Sequence, residues 1–215
     1  MKKIYISLAI MAMAITSCKK EVKVEEATVE VEKDTVVQQE PAPEQPMDSV
    51  AMQKAWEAYA TPGDVHKMLA EETGKWDVTM TFWMEPGAEP QVDKATADVK
   101  MIMGGRYQEM TFTGKMMGMD WIGKSTVAYN NKSKEITSTF IDNSGTGMMV
   151  VKGPYDAEKK SFSLKGETVD PMTGQTVQFR EVYTFVDDNT RRMEMFDTKN
   201  GKPEYKSLEI VMTRK

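Results

Sequence analysis

An antiparallel β-barrel of about ten strands, entered through short helices, is the fold this sequence predicts. Three observations lead there. From Trp76 onward, apolar residues recur with period two. Turn-forming clusters rich in Asn, Asp, Gly and Pro separate these stretches at short intervals. No helix-period segment intervenes, so each short turn must join antiparallel neighbours. Ten such strands leave two unpaired edges unless the sheet closes. An up-and-down barrel is the simplest closure, with an open curved sheet or a sandwich as the alternative.

The chain begins MKKIYISLAIMAMAITSCKK. Lys2 and Lys3 precede an apolar run from Ile4 to Ile15 that is interrupted only by Ser7. Such a run is shorter than the roughly 20 residues a spanning helix needs. It fits an export signal over residues 1–17. Ile15-Thr16-Ser17-Cys18 resembles a bacterial lipobox, in which small residues admit a peptidase and the Cys18 thiol accepts an acyl group. The competing reading is an ordinary signal peptide followed by a chance cysteine. Cys18 is the chain's one cysteine, so no internal disulfide is expected. The expected location is the bacterial cell envelope, with the bilayer as partner through acylated Cys18. By resemblance to Gram-negative lipoproteins, Lys19 rather than Asp after the cysteine favours the outer membrane, on either face.

Residues 18–47 are expected to form the lipidated cysteine and a disordered acidic tether. Positions 19–47 carry eight acidic residues, four lysines, three prolines and no aromatic. That composition cannot bury enough apolar surface to offset the entropy of ordering. Its Val-Glu alternation also admits an edge strand. The formal charge of −5 becomes −7 once Lys2 and Lys3 are cleaved away. An acidic chain without a basic stripe is a poor partner for nucleic acid.

The remaining segment, 48–215, is one domain's worth of chain. Asp48-Ser49 predicts the cap of a helix through Tyr59. Thr61-Pro62 predicts a second N-cap, with Asp64 in the first turn and Gly74 after the end. Then the period changes. Trp76, Val78, Met80, Phe82 and Met84 share one face of the first strand. Ala95, Ala97, Val99, Met101 and Met103 share a face of the second, and Met110 and Phe112 follow Gly104-Gly105. Further strands are expected at 119–130, 134–142, 146–153, 160–169, 175–187, 190–198 and 203–213. Turns are expected at Pro154-Tyr155-Asp156, Asp170–Gly174, Asp187–Asn189 and Asn200-Gly201, among others.

Several of these pieces, taken in order, resemble the bacterial domain of unknown function 1579 family over about residues 62–215. They include Pro62-Gly63-Asp64-Val65-His66-Lys67-Met68-Leu69, Gly74-Lys75-Trp76 and Gly104-Gly105-Arg106-Tyr107. Ile141–Met149, Gly153-Pro154-Tyr155-Asp156, Arg180-Glu181-Val182 and the closing Glu209–Lys215 complete the pattern. The resemblance implies a calycin-like, lipocalin-related barrel. It implies no reaction and no catalytic residue. Gly-x-Trp at 74–76 also resembles the lipocalin start, where the Trp plugs the closed end under a basic side chain. Arg180 and Arg214 are the candidates to cover Trp76.

Seventeen methionines follow residue 17, many of them near residues 101–119. Thioether clusters can hold Cu(I). Adjacent Met116 and Met117 point to opposite faces of a regular strand, and His66 is the one histidine. A flexible apolar cavity wall is therefore the expectation, with no metal and no cofactor. "GKMMGMDWIGKS" is read as a turn at a barrel rim.

The candidate pocket residues are Met101, Met103, Met110, Phe112, Trp121 and Phe140 from the apolar pattern. Phe179, Glu181 and Tyr183 join them on one strand face, with Arg106 and Tyr107 after the glycine pair. An inward Glu181 would need a partner or a raised pKa. A bulge that returns it to solvent, or an ion pair with Arg106, is the competing reading. Protease, hydrolase and phosphate-loop motifs are missing from the sequence. The leading expectation is a barrel binding a small apolar or amphipathic molecule, with no catalytic residues. The rivals are a barrel enzyme using Glu181, Arg106 and Tyr107, and a structural envelope lipoprotein with a filled interior.

Overall fold

A computed structural model describes residues 48–198 and 203–215. The export signal, Cys18 and the tether read from the sequence lie outside the described residues. Two helices, α1 (Ser49–Ala60) and α2 (Asp64–Ala70), precede ten strands. These are β1 (Gly74–Phe82), β2 (Gln91–Ile102), β3 (Tyr107–Met116), β4 (Met119–Asn130) and β5 (Glu135–Asp142). They continue as β6 (Met149–Asp156), β7 (Ser161–Val169), β8 (Thr176–Asp187), β9 (Thr190–Thr198) and β10 (Tyr205–Arg214). Each strand pairs antiparallel with its sequence neighbours, and β1 pairs with β10 to close the barrel. This is the expected fold. The seam runs from Trp76 opposite Arg214 to Phe82 opposite Leu208.

The helices differ from expectation in one cap. Asp48 caps α1 by accepting from the Ala51 N–H at 2.7 Å. Thr61 does not cap α2. Its N–H and its hydroxyl both donate to the Glu57 carbonyl, so it ends α1 instead. Gly63 takes the N-cap position of α2, and its N–H donates to Nδ1 of His66 at 3.1 Å.

Pro154-Tyr155-Asp156, expected to form a turn after Gly153, lies inside β6. The β6–β7 ladder pairs Val151 with Gly166 and Tyr155 with Phe162 but skips residues 153 and 154. A Cβ on Gly153 would stand 2.1 Å from the Ser163 carbonyl oxygen. Glycine thus lets β7 approach, and Pro154 occupies a position that needs no N–H on that side. The strand passes through and turns after Asp156. Between β3 and β4, Met116 pairs with Met119 around Met117 and Gly118, both at positive φ. Two central residues of that kind match the twist of the flanking strands.

The alternation places the odd-numbered residues of β8 and the even-numbered residues of β1 inside. Buried residues form two clusters on opposing walls. One holds Trp76, Val78, Met80, Val99, Phe112, Trp121 and Met212. The other joins Leu69 of α2 to Val127, Ile136, Val151, Phe162, Leu164, Phe179 and Tyr183. Among the described residues the ten-stranded closed ladder and both clusters are built from α2 and the strands, which supply a hydrophobic core of their own.

Antiparallel order gives the barrel two distinct ends. At one end lie α2 and the turns that follow β2, β4, β6 and β8. At the other lie the β1–β2, β3–β4, β5–β6, β7–β8 and β9–β10 connections. The first end is plugged. Leu69 is fully buried, and the Trp76 indole donates to the Glu72 carbonyl at 2.9 Å. Arg214 lies over Trp76 at 4.3 Å and donates to the carbonyls of Thr73 and Glu71. The expected cation over Trp76 is therefore Arg214, its cross-strand partner on β10. Arg180 faces outward instead, stacking on Phe196 at 4.2 Å and pairing with Glu204 through two hydrogen bonds.

Candidate functional site

Between the two core clusters the barrel is not filled. A cavity of about 390 Å3 occupies the half away from α2. Ten strands enclose more space than the eight whose side chains just fill a barrel. Met80, Met110, Phe112, Trp121 and Met212 contribute one wall. Val127, Val151, Phe162, Leu164 and Tyr183 contribute the other. Met193 and Met195 of β9 and Leu208 and Ile210 of β10 complete the sides. Trp83 and the exposed Met84 stand at the mouth.

The wall is built from ring clusters. Phe112, Trp121 and Phe140 have centroids 6.0–6.2 Å apart. Gly123 makes that cluster possible, because a Cβ there would fall 2.8 Å from the Phe140 ring. Phe162 and Tyr183 stack at 4.8 Å with rings nearly parallel.

The polar groups are few. Asp142 accepts from the Trp121 indole at 3.0 Å and from the Ser144 N–H and hydroxyl. Burial raises its pKa, but these hydrogen bonds prevail and hold it below the usual carboxylate range. One aspartate thus fixes a rim turn and orients a cavity ring. Ser125 and Ser138 face each other at 3.4 Å. Glu181 lies on the inner face of β8, opposite Leu164 on β7 and Met195 on β9. Among the described residues it has neither a hydrogen bond nor an ion pair. Burial without a partner pushes its carboxyl up to about 7.

The plugged end holds a separate polar cluster. Glu72 accepts from the Tyr183 hydroxyl, from Gln108 and from the Arg191 guanidinium, each at 2.7 Å. Gln108 also donates to the Leu69 carbonyl at 2.8 Å, tying β3 to α2. Arg191 donates further to the carbonyls of Asp187 and Thr190. Burial holds the Glu72 carboxyl above its ordinary value, against the opposing pull of Tyr183, Gln108 and Arg191. Burial and the Glu72 charge push the Tyr183 phenol well above its ordinary value. Within the cluster Gln108 donates twice through its amide nitrogen, while its Oε1 is buried with no partner among the described residues. Removing one partner of a buried pair such as Glu72 and Arg191 costs about 3–5 kcal/mol, so the cluster works as a rivet between α2 and the barrel.

The expected pocket residues divide by depth along the barrel. Met110, Phe112, Trp121, Phe140, Glu181 and Tyr183 line the cavity. Phe179 is buried in the second cluster without reaching the open space, and Met101 packs against that cluster near α2. Met103, Arg106 and Tyr107 belong to the opposite end. Met103 is 71% exposed at positive φ in the β2–β3 turn. Arg106 donates to the Met103 carbonyl, and Tyr107 is 40% exposed. The alternation that placed Met103 inside stops at Ile102, where the strand ends. Arg106 therefore does not pair with Glu181, and the acid–base trio of the enzyme reading is not assembled. Of the rim methionines, Met116 lines the cavity while Met117 and Met119 are exposed.

Sequence reasoning missed Gln108, Arg191 and the burial of Glu72. Polar residues on an inner face look like breaks in the pattern, and the partners are up to 119 positions apart. It also missed Trp83, Met193, Met195 and Asp197 as lining residues.

Comparison with curated proteins finds no match. Among solved structures, that of Rv2717c from M. tuberculosis is similar with a TM-score of 0.52 at 12% identity, over 72% of this chain and 99% of that one. A redesigned β-barrel aligns with a TM-score of 0.39 at 12% identity, over 68% of this chain and 94% of that one. The first likeness speaks to fold alone. The family model described as "Protein of unknown function (DUF1579)" matches residues 61–214, which span α2 and all ten strands. The chain belongs to that family.

Proposed function

We propose that this protein is a cell-envelope lipoprotein whose barrel takes up a small apolar or amphipathic molecule through its open end. The observation that carries the reading is the cavity of about 390 Å3, walled by methionines and aromatic rings. Its size and its few polar groups match small-molecule sites, which are concave and mostly apolar. Methionine suits such a wall because its unbranched side chain repacks around a guest. Lipidation at Cys18, anchoring in the outer membrane and indifference to nucleic acid complete the proposal. They rest on the lipobox-like residues 15–18 and on the net negative charge.

Native mass spectrometry of the 48–215 domain, purified from its own host, tests the cavity. The expected result is a co-purifying small mass that leaves on denaturation. An empty protein that also fails to bind 1-decanol in calorimetry would overturn the reading in favour of a structural barrel. Lipidation is tested separately by metabolic labelling with a radioactive fatty acid. Label should be lost from the Cys18→Ala chain.

A further inference from the structure

Three carboxyls line the cavity: Asp142, Glu181 and Asp197. No lysine, arginine or histidine lines it among the described residues. Barrels that hold anionic lipids need a cation to meet the headgroup. This wall offers none.

We infer that the cavity selects amphiphiles bearing a protonated amine, with the ammonium seated against Glu181 and the apolar body toward the mouth. The inference rests on the proposed uptake of a small molecule and names its chemical class. Glu181 stands near the middle of β8, flanked by Leu164, Met193 and Met195. A carboxylate among such apolar neighbours has no protein donor to stabilise it among the described residues. An ammonium supplies both charge and N–H donors. A carboxylate headgroup would instead meet like charges, and an alcohol would bring one hydrogen bond and no charge.

The rings agree with this choice. The stacked Phe162 and Tyr183 lie next to Glu181, since Phe162 pairs with Tyr183 and Leu164 with Glu181. Aromatic faces attract cations, most strongly where water is excluded. Trp121, Phe112 and Phe140 lie nearer the open end of their strands, where they would cover the apolar body.

Amine binding should be linked to protons. The titratable groups around the cavity are Glu181 and Tyr183 on β8, Asp142 on β5, Asp197 on β9 and Tyr205 on β10. Asp142 is already held low by Trp121 and Ser144, and Tyr183 is held high while it donates to Glu72. Asp197 has an interaction of its own. Glu181 is protonated in the empty cavity below about 7. There, seating an ammonium must expel that proton.

The test is calorimetry on the 48–215 domain with decylamine, 1-decanol and decanoate as matched probes. At pH 8, decylamine should bind at least tenfold more tightly than decanol, and decanoate should bind most weakly. Between pH 8 and pH 6 the decylamine affinity should fall roughly tenfold, in line with proton displacement. Decanol affinity should hold within about twofold. The Glu181→Gln domain should lose at least tenfold in decylamine affinity and keep its decanol affinity. Equal binding of decanol and decylamine, or an unchanged Glu181→Gln affinity, overturns the amine assignment and leaves apolar uptake standing. Failure of all three probes overturns apolar uptake as well.

Discussion

Glu181 is the residue whose placement has the clearest measurable consequence. In the folded chain its carboxyl holds a proton up to about pH 7, against an ordinary value of 4.5. Between those two values the folded state binds more protons than the unfolded state. Stability attributable to this group therefore falls as pH rises through that window, and the full cost of a buried charge is present above it. Gln cannot ionise. Glu181→Gln should match the parent at pH 4 and exceed it at pH 8 by about 1–3 kcal/mol, read from urea unfolding at both values. A variant less stable than the parent at pH 8 would show that the carboxylate has a partner after all. The face Glu181 occupies was legible, because alternation through Val177, Phe179, Tyr183 and Phe185 states which side chains point together. What alternation cannot state is depth. Met103, Arg106 and Tyr107 share inner-face spacing or adjacency with cavity residues, yet they belong to the plugged end. Depth depends on register across the whole sheet.

The helices show how an element's sequence can be read correctly while its weight is misjudged. Asp48-Ser49 marks the start of α1, and α1 forms there. None of its residues is buried, and Trp56 is 68% exposed. Its fixed point is Asn131, whose side-chain amide donates to the carbonyls of Ala58, Tyr59 and Thr61. By contrast α2 has only seven residues and buries Leu69 and His66. Glu72, in the turn after α2, anchors the closed-end cluster. A chain starting at residue 61 should therefore melt within about 2 °C of one starting at residue 48. Differential scanning calorimetry on the two makes the comparison. A drop of 5 °C or more would mean that α1 contributes to the core. The family match, which begins at residue 61, draws the same boundary.

At the scale of the molecule, closure was legible from counting: ten period-two stretches, short turns and no helices between them. An apolar inner wall was legible too, and six of the expected residues line the cavity, but its volume was not, since volume depends on side-chain shapes meeting across the interior. Nine of the ten strand pairings join sequence neighbours, and the β1–β10 seam alone is long-range. Such pairing carries the largest loop-closure cost and is expected to form late. A chain ending before Tyr205 would lack both the seam and the Arg214 cover on Trp76. It should elute as oligomers in size-exclusion chromatography, whereas a monomer would show that nine strands can close alone. The seam also has a consequence during folding. Until the last stave docks, β1 and β9 are two raw margins offering backbone donors and acceptors to whatever passes. Each partly folded molecule is thus a sticky half-pipe until its C-terminal strand is seated, and crowding would favour splicing one copy's margin onto another's.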